Sequence, residues 1–402
     1  MADGQTIAKY ENFNYMVEVD PIEAVAIRKQ YNWGRQPFEG GVVMPDNKTV
    51  YLGADNTPGI FTKFVADTEG DFTEGNTYFY KEDDPNKRVE IDNSDMTTML
   101  HFQDTAIAHG ATMFNRLEWI AYNPADGNVY MTETGRDNHA LKWNDELTDG
   151  GVFATHHEDR ASDQGMTRPE DSSYVDYYGR ILMLDINTDE VSSFFEGGPE
   201  YSSDVNMSAY PETQLSNPDG LGFVTIGATT YMLICEDLNG TSNGRMPIGF
   251  SNRTCELFML DMNIANPSLD DLIRIAEVPL GAEITGVRAT PDGKTIFFNS
   301  QHPSSNNPYP YNNSCTIALT GFTETDLSAP SIDYDKSELT LYPNPSADFI
   351  YMNKTTDVGI YDVNGNLVKV LRNVDKFNVS NLPAGTYFIH TAEKETKTII
   401  VQ

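Results

Sequence analysis

The fold is decided by a recurring unit, seen most fully in Glu118-Trp119-Ile120-Ala121-Tyr122-Asn123-Pro124-Ala125-Asp126-Gly127. In this unit a glutamate opens an apolar, strand-like run that ends in a turn containing proline, aspartate and glycine. Proline presets φ at such a turn, and glycine accepts the positive φ that the turn requires. A second strand-like run, Val129-Tyr130-Met131-Thr132, follows directly. The unit therefore predicts a β-hairpin whose first strand begins with a carboxylate.

Versions of the same turn occur at three other places: Pro45-Asp46-Asn47, Pro218-Asp219-Gly220 and Pro291-Asp292-Gly293. Successive turns lie 79, 94 and 73 residues apart, which is close to twice the ~40–50 residues of one blade of a β-propeller. Helical periodicity is nearly absent, and the best helix candidate is the short stretch 269–276, after the cap-like Asn266-Pro267-Ser268. We therefore predict an all-β chain built around a β-propeller.

Glutamates recur at matched distances before three of these turns. Glu39 and Glu118 each lie six residues before the turn proline, and Glu283 lies eight residues before it. If each following run is the innermost strand of a blade, the three carboxylates converge at the mouth of the central channel. Converging carboxylates repel one another unless a proton or a cation lies among them, and all-oxygen ligands favour hard cations, above all Ca²⁺. The alternative is that they are exposed charges at strand ends.

Two further residues are candidates for the same site. Asp219 has no glutamate at the matching distance before its turn and could itself be a metal ligand. Arg116 precedes Glu118 by two residues and so lies on the same side of an extended strand. A guanidinium beside a metal-binding carboxylate can hold a phosphate or carboxylate group with two hydrogen bonds. A simple Arg–Glu ion pair is the alternative.

A further acidic stretch, Asp237-Leu238-Asn239-Gly240, is similar to a fragment of a calcium-binding loop. It lacks the full twelve-residue pattern of such a loop. We interpret it as a solvated turn.

The charge balance restricts the partners of the protein. The 402 residues include 60 acidic and 27 basic side chains, a formal net charge of −33, whereas binding to nucleic acid requires a basic surface. A polyanionic surface instead favours cations. Hydrophobic residues make up 39% of the chain, enough for a folded core, and no apolar run approaches the ~18–20 residues of a transmembrane helix. We expect no nucleic-acid partner and no transmembrane segment.

The sequence changes character after residue 328. Short strand-like runs, joined in one place by the hairpin turn Asn364-Gly365-Asn366, predict a small Ig-like β-sandwich of ~65 residues. Three motifs stand out in this block: Tyr342-Pro343-Asn344-Pro345, Ile360-Tyr361-Asp362-Val363-Asn364-Gly365 and Leu382-Pro383-Ala384-Gly385-Thr386-Tyr387-Phe388. Together they resemble the C-terminal sorting domain of the type IX secretion system of Bacteroidetes.

Such sorting domains direct their cargo to the cell surface or the medium, so the resemblance implies secretion through the outer membrane with the type IX machinery as a partner. That route begins with a signal peptide, but the first six residues, 1–6, have neither a basic n-region nor an apolar h-region. We therefore expect the chain to be truncated at its N-terminus. The expected domains are a propeller at 1–327, a linker at 328–336 and the sorting domain at 337–402.

Four motifs distinguish the large domain: Phe38-Glu39-Gly40-Gly41, Arg116-Leu117-Glu118-Trp119-Ile120-Ala121-Tyr122-Asn123-Pro124, Asn217-Pro218-Asp219-Gly220-Leu221 and Gly281-Ala282-Glu283-Ile284-Thr285-Gly286. Together they resemble the PhoX-type alkaline phosphatases. The resemblance implies a six-bladed propeller with a cluster of calcium and iron at the channel mouth, which hydrolyses phosphomonoesters. It also implies roles for five residues: metal ligation by Glu39, Glu118, Glu283 and Asp219, and a grip on the phosphate by Arg116.

Two features of that family have no match in this sequence. A stretch with an iron-binding cysteine and two adjacent glutamates has no counterpart before Phe38, and a second phosphate-gripping cation, a lysine, cannot be placed. We therefore expect part of the first blades and half of the metal cluster to be missing. The alternatives to a phosphatase are a non-catalytic, calcium-stabilised surface propeller and a calcium-dependent propeller lactonase or phosphotriesterase.

Overall fold

The computed structural model describes residues 7–135, 178–198, 214–237, 254–322, 339–391 and 395–402, together with Ser162. The chain divides into two compact units, Met1–Glu324 and Thr325–Gln402. The first unit contains the predicted carboxylates, and the second contains the sorting-domain motifs. The expected linker, 328–336, lies outside the described residues.

Small antiparallel sheets make up most of the described part of the first unit. A two-stranded sheet comes first, with β1 (Val17–Asp20) and β2 (Val25–Lys29). The next sheet has the strand order β3 (Phe38–Val43), β4 (Thr49–Ala54), β6 (Thr62–Thr68), β7 (Asp71–Tyr80) and β8 (Arg88–Ile91). The short strand β5 (Gly59–Ile60), which lies between β4 and β6 in the chain, pairs with β9 (Met113–Phe114), which follows β8.

Three more sheets follow along the chain. The first of them contains β10 (Leu117–Tyr122), β11 (Val129–Glu133), β12 (Arg180–Asp185) and β13 (Glu190–Glu196). The next contains β14 (Pro218–Ile226), β15 (Thr229–Glu236), β16 (Glu256–Asp261) and β17 (Ile273–Glu277). The last contains β18 (Glu283–Ala289), β19 (Thr295–Gln301) and β20 (Cys315–Thr320). The strand predicted at 129–132 is confirmed as β11.

The first strands of these four larger sheets lie side by side. β3 contacts β10, β10 contacts β14, and β14 contacts β18. At the first of these contacts a Cβ atom on Gly40 would overlap the carbonyl oxygen of Glu118, so the close approach of the two backbones requires glycine. Antiparallel sheets arranged around their first strands are the blades of a propeller. The predicted all-β, propeller-like fold is confirmed, and the described residues form four blades.

The second strand of each of the first three blades is almost wholly buried. All five residues of β11 and seven of the eight residues of β15 are buried. A strand reads as a continuous apolar run when both faces of its sheet are covered, and here the neighbouring blades cover them. The blades therefore hold one another in place through their central strands.

Arg88, the first residue of β8, joins the first blade to the second. Its guanidinium lies over the rings of Phe61, 4.4 Å from the centroid, and Tyr80, at 5.1 Å. Its Nε atom is 3.2 Å from Asp189 Oδ1, in the turn between β12 and β13, and Lys63 Nζ is 2.7 Å from the second oxygen of the same carboxylate. One carboxylate thus compensates two cations between blades.

Helices are short in the described residues. α1 (Met96–Leu100) and α2 (Phe102–Ala108) bury Met99 and Phe102, and the Asp95 side chain caps α1 by accepting a hydrogen bond from Thr98 N at 3.0 Å. None of these helices is long and apolar enough to cross a membrane.

The helix predicted at 269–276 is wrong. Residues Leu269–Asp271 form a single 3₁₀ turn, and the strand β17 follows. The cap signal is present in the structure, since the backbone N–H and the hydroxyl of Ser268 both donate to Asp271 Oδ2, at 2.8 and 2.9 Å. A segment this short gains little from helix formation, whereas β17 completes its blade by pairing with β16.

In the second unit five strands form one sheet: β21 (Leu341–Tyr342), β22 (Phe349–Tyr361), β23 (Leu367–Asn378), β24 (Gly385–Thr391) and β25 (Thr396–Val401). β22 pairs with both β23 and β24, and its pairing with β23 contains several shifts of register. Such bulges bend a strand without ending it. The short strands predicted from sequence therefore merge into two long ones around a core of Ile350, Ile360, Phe377, Ile389 and Ile399.

The predicted turn at 364–366 is confirmed in this unit. Gly365 has a φ of 82°, a value that glycine adopts at little cost. Asp362 Oδ1 accepts hydrogen bonds from the backbone N–H groups of Asn364 and Asn366, at 2.9 and 2.8 Å. The turn thus has both the glycine and the aspartate that such turns favour.

The compensation of Arg88 and Lys63 by one carboxylate predicts a large effect of Asp189→Ala. The substitution leaves the buried Arg88 without its ion-pair partner, and we expect the free energy of unfolding to fall by about 3 kcal/mol. Urea denaturation of the wild type and the variant measures this difference. Asp71→Ala is the matched control, because the Asp71–Arg28 pair lies at the surface and should contribute little. Equal losses in both variants would contradict this account of the blade contact.

Candidate metal centre

Each of the four blades places an acidic residue at the beginning of its first strand. Glu39, Glu118 and Asp219 are the second residues of β3, β10 and β14, and Glu283 is the first residue of β18. Asp219 therefore holds, in its own blade, the place that the glutamates hold in theirs. The contacts between the first strands bring these four positions to the same end of the blades.

A bulge shapes three of these strand beginnings in the same way. Phe38 in β3 pairs with Ala54 in β4, and the next pair is Gly41 with Leu52. Three residues along β3 therefore correspond to two residues along β4. The same shift follows Leu117 in β10 and Pro218 in β14. The second residue of each strand therefore lies within the bulge, and a bulge re-aims the side chains that it carries. In β18 the shift comes later, after Thr285.

The carboxylates crowd one another. One oxygen each from Glu39, Asp55 and Glu118 lie within 4.8 Å of one another. Burial, followed by the charges of Asp55 and Glu283, raises the pKa of Glu39 to about 7. Burial also raises the pKa of Glu283, and the charge of Asp237 adds to this effect. Without a cation, part of the cluster must therefore hold protons near neutral pH.

Glu118 and Asp219 are the most deeply buried members, with exposed fractions of 1% and 2%. Burial raises the pKa of both carboxyl groups well above the ordinary range. Glu118 Oε2 accepts a hydrogen bond from Thr134 Oγ1 at 2.7 Å, whereas Asp219 Oδ1 has no hydrogen-bond partner among the described residues. A buried carboxylate oxygen without a partner is costly, and this one is free to bind a cation.

The donor set tests which metals fit. Every acidic ligand candidate offers oxygen, which is the donor that Ca²⁺ takes. Cys235 comes nearest to supplying sulfur, because its Sγ would lie 3.1 Å from a Cβ on Gly220, next to Asp219. Burial raises the pKa of its thiol well above the ordinary value. Within the described residues the oxygen donors of the cluster fit calcium.

Arg116 is the cation of the cluster. Its Nε donates to Asp55 Oδ1 at 3.0 Å, its Nη2 forms an ion pair with Glu118, and the same nitrogen lies 3.6 Å from Asp237 Oδ2. Burial lowers the pKa of Arg116, but the charges of Glu118 and Asp55 outweigh this effect and the pKa lies above its ordinary value. The Arg116–Glu118 ion pair, which the sequence suggested as the alternative role of Arg116, is therefore present in the structure. Binding of phosphate by Arg116 stays a prediction.

The backbone holds Arg116 in an uncommon conformation. Its φ is 61°, in the left-handed region that few residues other than glycine adopt. Its N–H donates to the Asn56 carbonyl at 3.0 Å, and its own carbonyl accepts from Thr134 N at 3.0 Å. Strained backbone of this kind concentrates at functional sites. Asn56, just after β4, and Thr134, just after β11, thus hold the backbone of Arg116 and so position its guanidinium.

Two acidic residues of the cluster were not predicted from sequence. Asp55 follows the last residue of β4, and Asp237 follows the last residue of β15, so both hold the same place in their blades. Asp237, the first residue of the stretch interpreted as a solvated turn, is 25% exposed and lies 3.6 Å from Arg116 Nη2; positions 238–240 lie outside the described residues. The shared signal is an aspartate directly after the second strand of a blade.

Two buried glutamates hold the backbone just before the first strands of the second and third blades. Glu133, at the end of β11, accepts a hydrogen bond from Asn115 N at 2.7 Å, and Glu236, at the end of β15, accepts one from Ser216 N at 3.0 Å. In both blades the anchored N–H lies two residues before the first strand. Glu133 also pairs with Arg180 Nε at 2.7 Å. The same arrangement therefore fixes the backbone that leads into Glu118 and Asp219.

Comparisons with known proteins place this geometry in context. The solved structure of Pseudomonas fluorescens PhoX in complex with vanadate matches with 23% identity and a TM-score of 0.57, over 78% of this chain and 58% of that one. The chain thus spans less than two thirds of that PhoX. Gluconolactonases from Xanthomonas campestris and Pseudomonas aeruginosa match at 10% and 8% identity, both with a TM-score of 0.33, over 92% and 96% of this chain and 88% and 92% of theirs.

No curated protein matches the chain. The model of the secretion system C-terminal sorting domain matches residues 340–402, as the sequence motifs predict. The model of alkaline phosphatase PhoX matches residues 3–304, which is well over half of the chain and includes all of the site residues. The chain therefore belongs to the alkaline phosphatase PhoX family.

Proposed function

We propose that this protein is a metal-dependent phosphomonoesterase whose active site is the carboxylate cluster around Arg116. The observation that supports this most directly is the convergence of acids from four blades, two of them deeply buried, around the charged Arg116, in a chain of the PhoX family. The related Pseudomonas fluorescens PhoX binds vanadate, a transition-state analogue.

The cation of this site is proposed to be calcium. Its ligands would be Glu39, Glu118, Asp219 and Glu283, and the aspartates Asp55 and Asp237 lie next to them. Bound calcium would neutralise charge on the phosphoryl group and lower the pKa of a bound water. Iron is expected from the family resemblance, and we assign it no ligand and no chemical role.

The residues of the chain have separate tasks in this proposal. The described part of the cluster has six carboxylates and one arginine, so a doubly charged phosphate is repelled until a cation offsets the acids. Arg116 stays charged and offers a planar guanidinium that matches a phosphate. Thr134 holds Glu118 Oε2 in place. The deep burial of Glu118 and Asp219 keeps water away from the charges and strengthens their interactions.

We also propose that the protein is exported by the type IX secretion system of a Bacteroidetes bacterium and acts at the cell surface or in the medium. The match of residues 340–402 to the sorting domain supports this proposal. In that setting the partner of the second unit is the secretion machinery, and the partner of the first unit is a phosphate ester.

Glu118→Gln tests the catalytic proposal. The substitution keeps the size of the side chain but removes a charge from the cation site, and we expect kcat/KM for phenyl phosphate to fall ~100-fold or more. Glu69→Gln, in an exposed turn, is the control and should retain activity. Addition of a chelator should abolish turnover by the wild type.

Activity that survives both the chelator and Glu118→Gln would contradict the proposal. Calcium-dependent melting without turnover of phenyl phosphate would favour the non-catalytic surface propeller. Turnover of a lactone or a phosphotriester, but not of phenyl phosphate, would favour the third interpretation.

Asp219→Asn tests the cation site through stability. In the metal-free protein the wild-type carboxyl is buried, unpartnered at one oxygen and crowded by other acids, so removal of its charge should not lower Tm. In excess calcium the wild type should gain Tm, since a ligand that binds only the folded state stabilises it, and the variant should gain less. A variant that is destabilised without metal, and that gains as much from calcium as the wild type, would show that Asp219 is not a ligand.

A further inference from the structure

A cavity of about 190 Å³ lies beside the metal centre, on the side of the first blade. Two of the residues that line it also hydrogen-bond to the backbone of residues in the metal centre. Asn56 directly follows Asp55, and its carbonyl accepts the hydrogen bond from Arg116 N at 3.0 Å. Pro37 lies two residues before Glu39, and its carbonyl accepts a hydrogen bond from Asp55 N at 2.9 Å. The cavity, here named the Asn56 pocket, therefore shares a wall with the cluster.

Four amide residues line the Asn56 pocket: Asn14, Gln36, Asn56 and Gln103. Gln103 Nε2 donates to the Pro58 carbonyl and Asn56 Oδ1 accepts from Thr57 N, and each of these two amides keeps its other polar atom for a ligand. An amide donates and accepts hydrogen bonds, so a set of amides matches hydroxyl groups, which do the same. Gln36 is 2% exposed, and its Nε2 donates to Thr62 Oγ1 at 2.9 Å. Its Oε1 has no hydrogen-bond partner among the described residues. A buried acceptor of this kind calls for a partner that the described residues do not supply.

The remaining lining adds an apolar surface and balanced charge. Phe13 is 51% exposed, and the guanidinium of Arg35 lies 5.3 Å from the centroid of its ring. Asp104 is an opposite charge on the same lining, so the pocket as a whole favours no strong net charge. Its volume is well below the ~300–1,000 Å³ of pockets for drug-sized ligands. A single hydroxylated ring meets these conditions.

We propose that the Asn56 pocket binds the sugar of a sugar phosphate, with the phosphate directed to the metal centre. The inference rests on the proposed phosphatase function for the phosphate, but the sugar contacts stand on the pocket alone. A site that hydrogen-bonds hydroxyl groups rejects analogues without them, because its own buried polar groups are then left unpaired. We therefore expect sugar phosphates to bind more tightly than phosphate esters of apolar alcohols, which would be held through the phosphate alone.

Two histidines that flank α2 provide a matched pair of variants. His101 lines the Asn56 pocket, is exposed and makes no side-chain cap to the helix. His109, at the other end of α2, is also exposed and does not line the pocket. His101→Trp should fill the mouth of the pocket, and His109→Trp adds the same bulk elsewhere. Equal melting temperatures of the two variants establish that both are folded.

Binding of glucose is measured first, by saturation-transfer NMR on the full chain, because it requires neither metal nor turnover. We expect a signal with the wild type and with His109→Trp, and its loss with His101→Trp. Absence of a signal with the wild type, or a signal that His101→Trp leaves unchanged, would overturn the inference. Displacement of glucose by inorganic phosphate at this pocket would also overturn it, since Arg35 would then form an anion site.

Turnover is measured second, with glucose 6-phosphate and phenyl phosphate. We expect His101→Trp to raise KM for glucose 6-phosphate ~10-fold, the loss of about one good hydrogen bond, and to leave KM for phenyl phosphate unchanged. An equal rise for both substrates would overturn the inference. Turnover of phenyl phosphate without glucose binding would refute the sugar pocket and keep the phosphatase, whereas glucose binding without any turnover would refute the phosphatase alone.

Discussion

Repulsion between carboxylates is the constraint on which the rest of the site depends. Four blades each deliver an acid to one end of their first strands, and two aspartates that follow second strands add to them. The protein offsets part of this charge with Arg116 and a hydrogen bond from Thr134. It leaves Asp219 Oδ1 without a partner among the described residues. Such an arrangement lowers the stability of the metal-free chain, and a bound cation recovers it.

The blades also explain why the acids can be held so close together. The repeated bulge at the beginning of three first strands turns the second residue out of the ordinary alternation. Glu133 and Glu236 fix the backbone just before two of these strands. Gly40 allows two first strands to touch through their backbones. The main-chain geometry of the blades therefore brings the carboxylates close together.

The sequence predicts part of this site and misses the rest for physical reasons. Matched distances to the turn proline identify Glu39, Glu118 and Glu283, because the length of a hairpin strand is a local property. Asp55 and Asp237 were missed since their place depends on which strand pairs with which, and bulges depend on the same register. The helix predicted at 269–276 fails for a related reason: a real cap at Ser268 is followed by residues that the blade requires as its outer strand.

The metal content of the purified chain tests the central claim most directly. The protein is incubated with Ca²⁺ and Fe³⁺, desalted thoroughly and examined by plasma mass spectrometry. The account predicts calcium retained in a whole-number ratio to protein, because the described oxygens fit that ion. A chain that retains no calcium after desalting, while remaining folded, would contradict the claim that the converging carboxylates form a cation site.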